Sequence, residues 1–463
     1  MSTRSAEHRS RGQDPGTTGR RRAPRPNSAL QLLARRVHFL AGILVAPFLM
    51  VLCLTGLVYV FSPQIHDSLY HSDLHVSRAV GPAHPVSDQV RAALRAHPEC
   101  TLKSIITAPA PDRTTRVVLS VRGAAGDRTV FVDPYTNYIN GELSTVNNRL
   151  PANTWLRDLH SNLQLGPVGR VYAELAASWL PLLVVGGLIL WFARTRRKRR
   201  LREVLLPVPE GKKGWLRLRS VHGALGLWLA AGLLVAGVTG LSMSQFAGGR
   251  GDQTVDPVHL RAPALVAAPV RVLPGVQPIG LDEALDVAES AGLTGELTVT
   301  PAHGATPFTA AETSEGLPMQ RDSITIDPYT ARVTERIGWR DYSPLAKLSV
   351  LGAEFHTGTL FGLANQILLA LVAAATLVLI GLGYRMWWIH NPYRPRWSSL
   401  PRPVWRQVPR PVLLAVVLGV AAIGWVLPVF AVSLVLFVIF DAVLAGLTRK
   451  RKREPAAPRP RQG

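Results

Sequence analysis

Four long, almost uninterrupted apolar runs, residues 37–61, 174–193, 221–244 and 361–388, decide what this chain can fold into. Each is long enough to cross the hydrocarbon core of a bilayer, which takes about 20 helical residues. Two further apolar stretches, 411–427 and 429–447, follow as a hairpin, so the expectation is six spans in an α-helical integral membrane protein. This excludes a soluble enzyme, a fibrous protein and a mainly disordered chain. Two cysteines in 463 residues exclude a disulfide scaffold as well.

The net charge of +22 is unevenly placed. Residues 1–36 hold nine Arg against two acids, 194–220 hold eleven bases against two acids, 385–411 hold six Arg and no acid, and 448–463 hold seven bases against one acid. The segments 62–173 and 245–360 carry 19 bases against 23 acids. Basic segments stay in the cytoplasm. The expected plan for the cytoplasmic (plasma) membrane therefore has a basic disordered tail 1–36, an outward domain 62–173, a basic cytoplasmic loop 194–220, a second outward domain 245–360, a cytoplasmic loop 389–410, the hairpin 411–447 and a basic tail 448–463. Both termini are then cytoplasmic, and the basicity calls for no nucleic acid. The first run exceeds the 7–15 residues of a signal-peptide core and lacks a small-residue cleavage pattern after it, so it reads as an uncleaved span. Cys53 falls in mid-membrane and Cys100 outside, where they cannot pair.

The chain also repeats itself. Arg36-Val37-His38 and Thr55-Gly56-Leu57 recur, at a shift of 184, as Ser220-Val221-His222 and Thr239-Gly240-Leu241, with Gly42 against Gly226. Val132-Asp133-Pro134-Tyr135-Thr136 recurs at a shift of 194 as Ile326-Asp327-Pro328-Tyr329-Thr330. His160, Gly166, Gly187 and Trp191 recur at a shift of 196 as His356, Gly362, Gly383 and Trp387. Each half is span, outward domain, span. Both halves start on the same side, so a parallel repeat about an axis along the membrane normal is expected, with the hairpin as an addition. Each outward domain reads as a small α+β unit: a helix near 87–97 or 282–291, then alternating strands around an Asp-Pro-Tyr-Thr turn.

This ordered set of blocks, occurring twice over roughly 30–390, resembles the PepSY-associated transmembrane proteins, also called iron-regulated membrane proteins. The resemblance implies two PepSY-like outward domains on a four-span core. It further implies, from some members, a ferrisiderophore reductase that carries haem. Other members have no assigned role, and PepSY domains elsewhere inhibit or regulate proteases.

The residues allow a reading of their own. Eighteen residues make five helical turns, so His38 and Gly56 share a face about 27 Å apart, and His222 and Gly240 repeat this. An imidazole near each inner end can supply an axial ligand, and absent side chains at Gly42, Gly56, Gly226 and Gly240 leave room for a flat porphyrin. His160 and His356 sit before the second and fourth spans on the outer side, where a second haem is sterically allowed. Two b-type haems, ligated by His38 with His222 and by His160 with His356, are thus expected. The plain alternative treats interfacial His as a polar anchor and Gly as a packing residue. His390 competes as an inner ligand. His66, His71 and His75, with Asp67 and Asp73 nearby, are a weaker candidate metal cluster. Asp441 lies within a span two turns from Arg449 and reads as an interfacial ion pair, and Trp191, Trp387 and Trp388 read as an aromatic belt.

Three functions follow. The leading one is an electron carrier that reduces a ferric siderophore or other ferric chelate outside. Its cytoplasmic segments are too short for a flavin or nicotinamide domain, so the donor is a separate cytoplasmic reductase or a membrane quinol. The second is a bilayer-anchored regulatory or protease-inhibitory module without cofactor. The third is a siderophore or metal transporter, for which the spans lack broken helices and, Asp441 near the end of the last one apart, charge in their interior.

Overall fold

A computed structural model describes residues 26–195, 201–207, 214–248, 262–390 and 410–453. Most of both expected basic tails, much of the loop 194–220 and nearly all of the loop 389–410 lie outside the described residues.

Among the described residues, four helices are long and apolar enough to cross a membrane: α1 (Pro26–Tyr59), α6 (Gly166–Thr195), α8 (Trp215–Ser242) and α11 (Leu363–His390). α1 and α8 start earlier than the expected spans and α6 runs past both ends, because the helical hydrogen-bond ladder continues into flanking residues, whereas α11 has the expected length shifted by two residues. Leu371, Val378, Val235 and Val238 stand exposed on their outer faces. Such a surface suits lipid, in which only helices with internally satisfied backbones are stable as spans. α1 packs on α6, α6 on α8, α8 on α11, and α11 back on α1, closing a four-helix ring. α1 and α8 therefore stand diagonally opposite. Tyr384 ties the closure by donating its hydroxyl to Ile43 O at 2.9 Å.

At one end of the ring lie two α+β units. The first contains short helices α2 (Ser62–Leu69) and α3 (His71–Leu74), helix α4 (Val86–Ala96), strands β1 (Thr101–Ile106), β2 (Thr115–Ser120), β3 (Asp127–Val132) and β4 (Ile139–Thr145), and α5 (Pro151–Asn162). The second, reached from the ring by way of α7 (Leu201–Leu205) and α8, has α9 (Leu281–Ser290), β5 (Leu297–Thr300), β6 (Phe308–Glu312), β7 (Ser323–Asp327), β8 (Arg332–Ile337) and α10 (Pro344–Thr357). The sequence suggests two separate units, but the structure joins them in one antiparallel sheet, ordered β4-β3-β2-β1-β5-β6-β7-β8. β1 and β5 meet with Ile105 opposite Val299, both fully buried. Pairing them removes two open sheet edges, each otherwise a row of unsatisfied backbone groups. α4 and α9 cover one face, packing Val90, Ala93, Ala284 and Ala288 against Val117, Val130, Ile324 and Ile326. At the Asp-Pro-Tyr-Thr turns, Asp133 Oδ1 accepts from Tyr135 N at 2.8 Å and Asp327 Oδ1 from Tyr329 N at 2.9 Å. Asn137 and Ala331 then take left-handed backbone, at φ 58° and 56°, to turn into the next strand.

The terminal hairpin is α12 (Arg410–Val426) and α13 (Pro428–Arg453). Its apolar stretches, Leu413–Val426 and Pro428–Val443, are shorter than a full perpendicular span. α13 docks on α6, where Trp179 meets Phe430 and Phe437 at ring separations of 5.4 and 5.1 Å and donates its indole N–H to Ser433 Oγ at 2.9 Å. The side chains of the terminal basic run, Arg449 among them, lie outside the described residues, but a partner for Asp441 is found elsewhere. Asp441 forms a buried ion pair with Arg36 of α1, two residues before His38. Neither cysteine is in a disulfide.

Candidate functional site: two histidine pairs

The ring brings its four marked histidines together as two pairs at two levels. His38 of α1 and His222 of α8 face each other across the ring with their ring centroids 6.3 Å apart. About 27 Å along α1, at the sheet end, His160 of α5 and His356 of α10 lie 6.4 Å apart. Two imidazoles that bind one metal ion from opposite sides, each at about 2 Å from nitrogen to metal, have centroids roughly 6 Å apart.

The backbone sets the tautomers. His38 Nδ1 lies 2.9 Å from Leu183 O, and His222 Nδ1 lies 3.1 Å from Leu379 O. A carbonyl only accepts, so each Nδ1 carries the proton and each Nε2 keeps its lone pair. The two carbonyls come from α6 and α11, the other diagonal of the ring. At Gly187 glycine eases this approach, since a Cβ there would stand 3.2 Å from His38 Cε1, whereas one on Gly383 would make ordinary contact with His222 Cε1 at 3.6 Å.

At the other level, His160 Nδ1 lies 3.0 Å from Thr55 Oγ1, and His356 Nδ1 lies 3.0 Å from Thr239 Oγ1. Each hydroxyl spends its one proton on the carbonyl a turn back, Val51 O at 3.0 Å or Val235 O at 2.7 Å. The hydroxyl oxygens therefore accept from Nδ1–H, and Nε2 is again the lone-pair nitrogen. Gly56 and Gly240 adjoin these rings, since an added Cβ would lie 3.2 Å from His160 Cε1 and 3.0 Å from His356 Cε1. The space they leave thus admits an imidazole edge, where the sequence reading assigns it to a porphyrin. Tyr59 lies parallel to His160, within 3° and with centroids 6.1 Å apart.

Gly42 does open on free space, and a Cβ on Gly226 would only touch Leu379 Cδ1 at 3.8 Å. Both glycines line a cavity of about 350 Å³ between the helices, together with His38 and His222. Its walls are mostly apolar, among them Ile43, Leu188, Leu227 and Ile380, whereas Arg35, Arg194 and Arg219 line it at the end away from the sheet. An apolar slot with two lone-pair nitrogens across it and guanidinium groups at one end suits a flat, amphipathic carboxylate-bearing ligand.

Several residues of this arrangement escape a reading of composition alone. Thr55, Thr239, Gly187 and Gly383 stand in the repeated blocks, which was the available signal; Arg35 and Arg219 correspond at the same shift of 184, whereas Arg194 has no counterpart. Trp191 departs from the expected aromatic belt: it is buried, with its ring over Gly223 and its indole N–H on Val204 O at 3.1 Å. Trp388, 63% exposed, keeps a belt position. His390 ends α11, with its side chain outside the described residues. Of the weaker metal cluster, His71 and His75 meet Asp67, whereas Asp73 packs against Gly141 and His66 stays apart.

Burial pushes the His160 imidazole down to about 4, with His356 beside it adding to the effect. Unfolded, the same group titrates near 6.5. Between these values only the unfolded chain takes the proton, so stability is full above about pH 6.5 and falls as the pH drops toward 4. The haem-free protein in detergent is expected to lose thermal stability across that window, on the order of a few kcal/mol. His160→Gln should flatten the pH dependence measured by circular dichroism; an unchanged slope would refute this account.

A family model described as PepSY-associated TM region matches residues 35–390. No curated protein matches the chain.

Proposed function

Since the chain belongs to the PepSY-associated TM region family, we propose that it is a two-haem transmembrane electron carrier that reduces a ferric siderophore or other ferric chelate on the outer side of the cytoplasmic membrane. The observation that carries this reading is the presence of two imidazole pairs, at 6.3 and 6.4 Å, one at each end of the same helix ring.

The residues fit b-type haem. His38 and His222 would hold one group through Nε2, with Arg35, Arg194 and Arg219 placed to receive its carboxylates. His160 and His356 would hold the other. Haem bound in this way supplies a one-electron ferric/ferrous couple. The chain's own contribution is orientation and exclusion. Leu183 O, Leu379 O, Thr55 and Thr239 lock the four rings through Nδ1, which fixes the ligand nitrogen and raises its basicity. The apolar helix walls keep water from the inner pair.

The charge asymmetry supports placing the sheet outside and the basic segments in the cytoplasm. The imidazole levels then lie near opposite faces of the bilayer, with the donor, a cytoplasmic reductase or a membrane quinol, at the inner one. A ferric ion held by hard oxygen donors is released when one electron makes it ferrous, so the outward domains need only bring the chelate close.

The test is the absorption spectrum of the detergent-purified protein, air-oxidised and dithionite-reduced, with haem quantified per chain. Two haems with six-coordinate spectra are expected. A wild-type protein made with ample haem that shows no Soret band would sink the proposal.

A further inference from the structure

Outside the four paired imidazoles, a second group of ligand-bearing side chains gathers where α1 gives way to the sheet. Asp67, His71 and His75 are spaced four residues apart. The backbone keeps a nearly helical course through them, with Tyr70 N on His66 O at 2.9 Å, Leu74 N on Tyr70 O at 2.9 Å and His75 N on His71 O at 3.0 Å. Positions i, i+4 and i+8 then fall on one face. One donor atom from each of the three lies within 4.8 Å of the others.

We propose that Asp67, His71 and His75 bind a divalent first-row transition-metal cation. His75 Nε2 lies 2.9 Å from Asp67 Oδ1, so the two face a common point. Behind it, His75 Nδ1 lies 3.5 Å from Asp112 Oδ2. A carboxylate at the far nitrogen is the usual support of a metal-binding imidazole, because it orients the ring and makes the other nitrogen a better ligand. Arg113 donates to Asp67 Oδ1 at 2.7 Å, which steadies the carboxylate and leaves Oδ2 for the cation. His71 is exposed, and its ring lies over that of His75 with centroids 4.2 Å apart. Donor atoms around an ion bound at about 2 Å lie roughly 3–4 Å apart. Rotation of the exposed His71 ring supplies the remaining approach.

Ligand type selects the ion. Two imidazoles with one carboxylate suit zinc, ferrous iron, nickel or copper, whereas magnesium and calcium prefer all-oxygen sets. Asp67 and His71 line an open depression, which gives the cation an entry path and leaves positions for water. The site abuts the helix that carries His160: Ala152 N of α5 donates to Tyr70 Oη at 3.0 Å.

The experiment uses the full-length chain in detergent, purified through a tag without histidine. It is dialysed to equilibrium against graded Zn²⁺, with bound zinc and haem measured in the same samples. Wild type should hold one zinc equivalent that His71→Gln/His75→Gln lacks, and Asp67→Asn should bind about tenfold more weakly or worse. Haem content should be unchanged in all of them, so the outcome is independent of the electron-carrier reading. Zinc, but not magnesium, should also raise the unfolding temperature of wild type and leave that of the double variant where it was. If the double variant fails to fold, His71→Gln alone carries the test, since its side chain is exposed. Equal zinc binding by wild type and the folded variant, or none by wild type, would overturn the proposal. Substitutions that lower the unfolding temperature without altering zinc binding would reduce the trio to a structural ion-pair cluster.

Discussion

Replacing His38 or His222 with alanine is expected to remove one haem equivalent and leave the other, and replacing His160 or His356 should do the converse. The two pairs share no residue, and within each pair the imidazole centroids lie 6.3 or 6.4 Å apart. Each variant would keep only one of the two protein imidazoles available to hold the group. Chelate reduction should fall to background in all four variants, because the levels lie about 27 Å apart along α1 and neither alone connects the two faces of the membrane. Haem per chain and ferric-chelate reduction in membranes would be measured together. Four variants that all retain two haems would refute the ligand assignment. Haem retained without any reduction in wild type would preserve the cofactor reading and remove the ferric substrate.

Two glycine substitutions should separate the levels without touching a ligand. A Cβ on Gly240 meets His356 Cε1 at 3.0 Å, so Gly240→Leu must push that ring off the Thr239 hydroxyl. Overpacking of this kind costs about 1–3 kcal/mol, and here the strain falls on a ligand. The outer haem should be lost or shifted while the inner one is spared. Gly42 has nothing within 4 Å of its Cβ direction and opens on the cavity beside His38. Gly42→Leu should therefore fold normally but fill the slot, with loss confined to the inner haem. Redox titration of each variant distinguishes the centres. The reverse pattern, with Gly240→Leu losing the inner haem, would contradict the placement of both glycines.

The membrane character was legible in the sequence because it is a local property: about 20 successive apolar residues satisfy their own backbone and need no distant partner to be recognised. The four histidines were legible for another reason. They are two positions each carried twice, His38 and His222 in register with Thr55 and Thr239, His160 and His356 with Gly187 and Gly383, so the repeat itself marked them.

What only the tertiary structure decided is how distant segments meet. That α1 and α8 stand on one diagonal, and that Leu183 O and Leu379 O reach in from the other, depends on how four helices close into a ring, which no single helix encodes. The junction of β1 with β5 likewise depends on two edges brought together by the helices beneath them, since either strand alone reads as the end of its own sheet. Asp441 shows the same limit: nothing in the sequence points to its ion pair with Arg36, more than 400 positions away, which helix packing creates. Periodicity reports which face of an element is apolar, whereas pairing is set by packing and charge between faces that lie far apart along the chain.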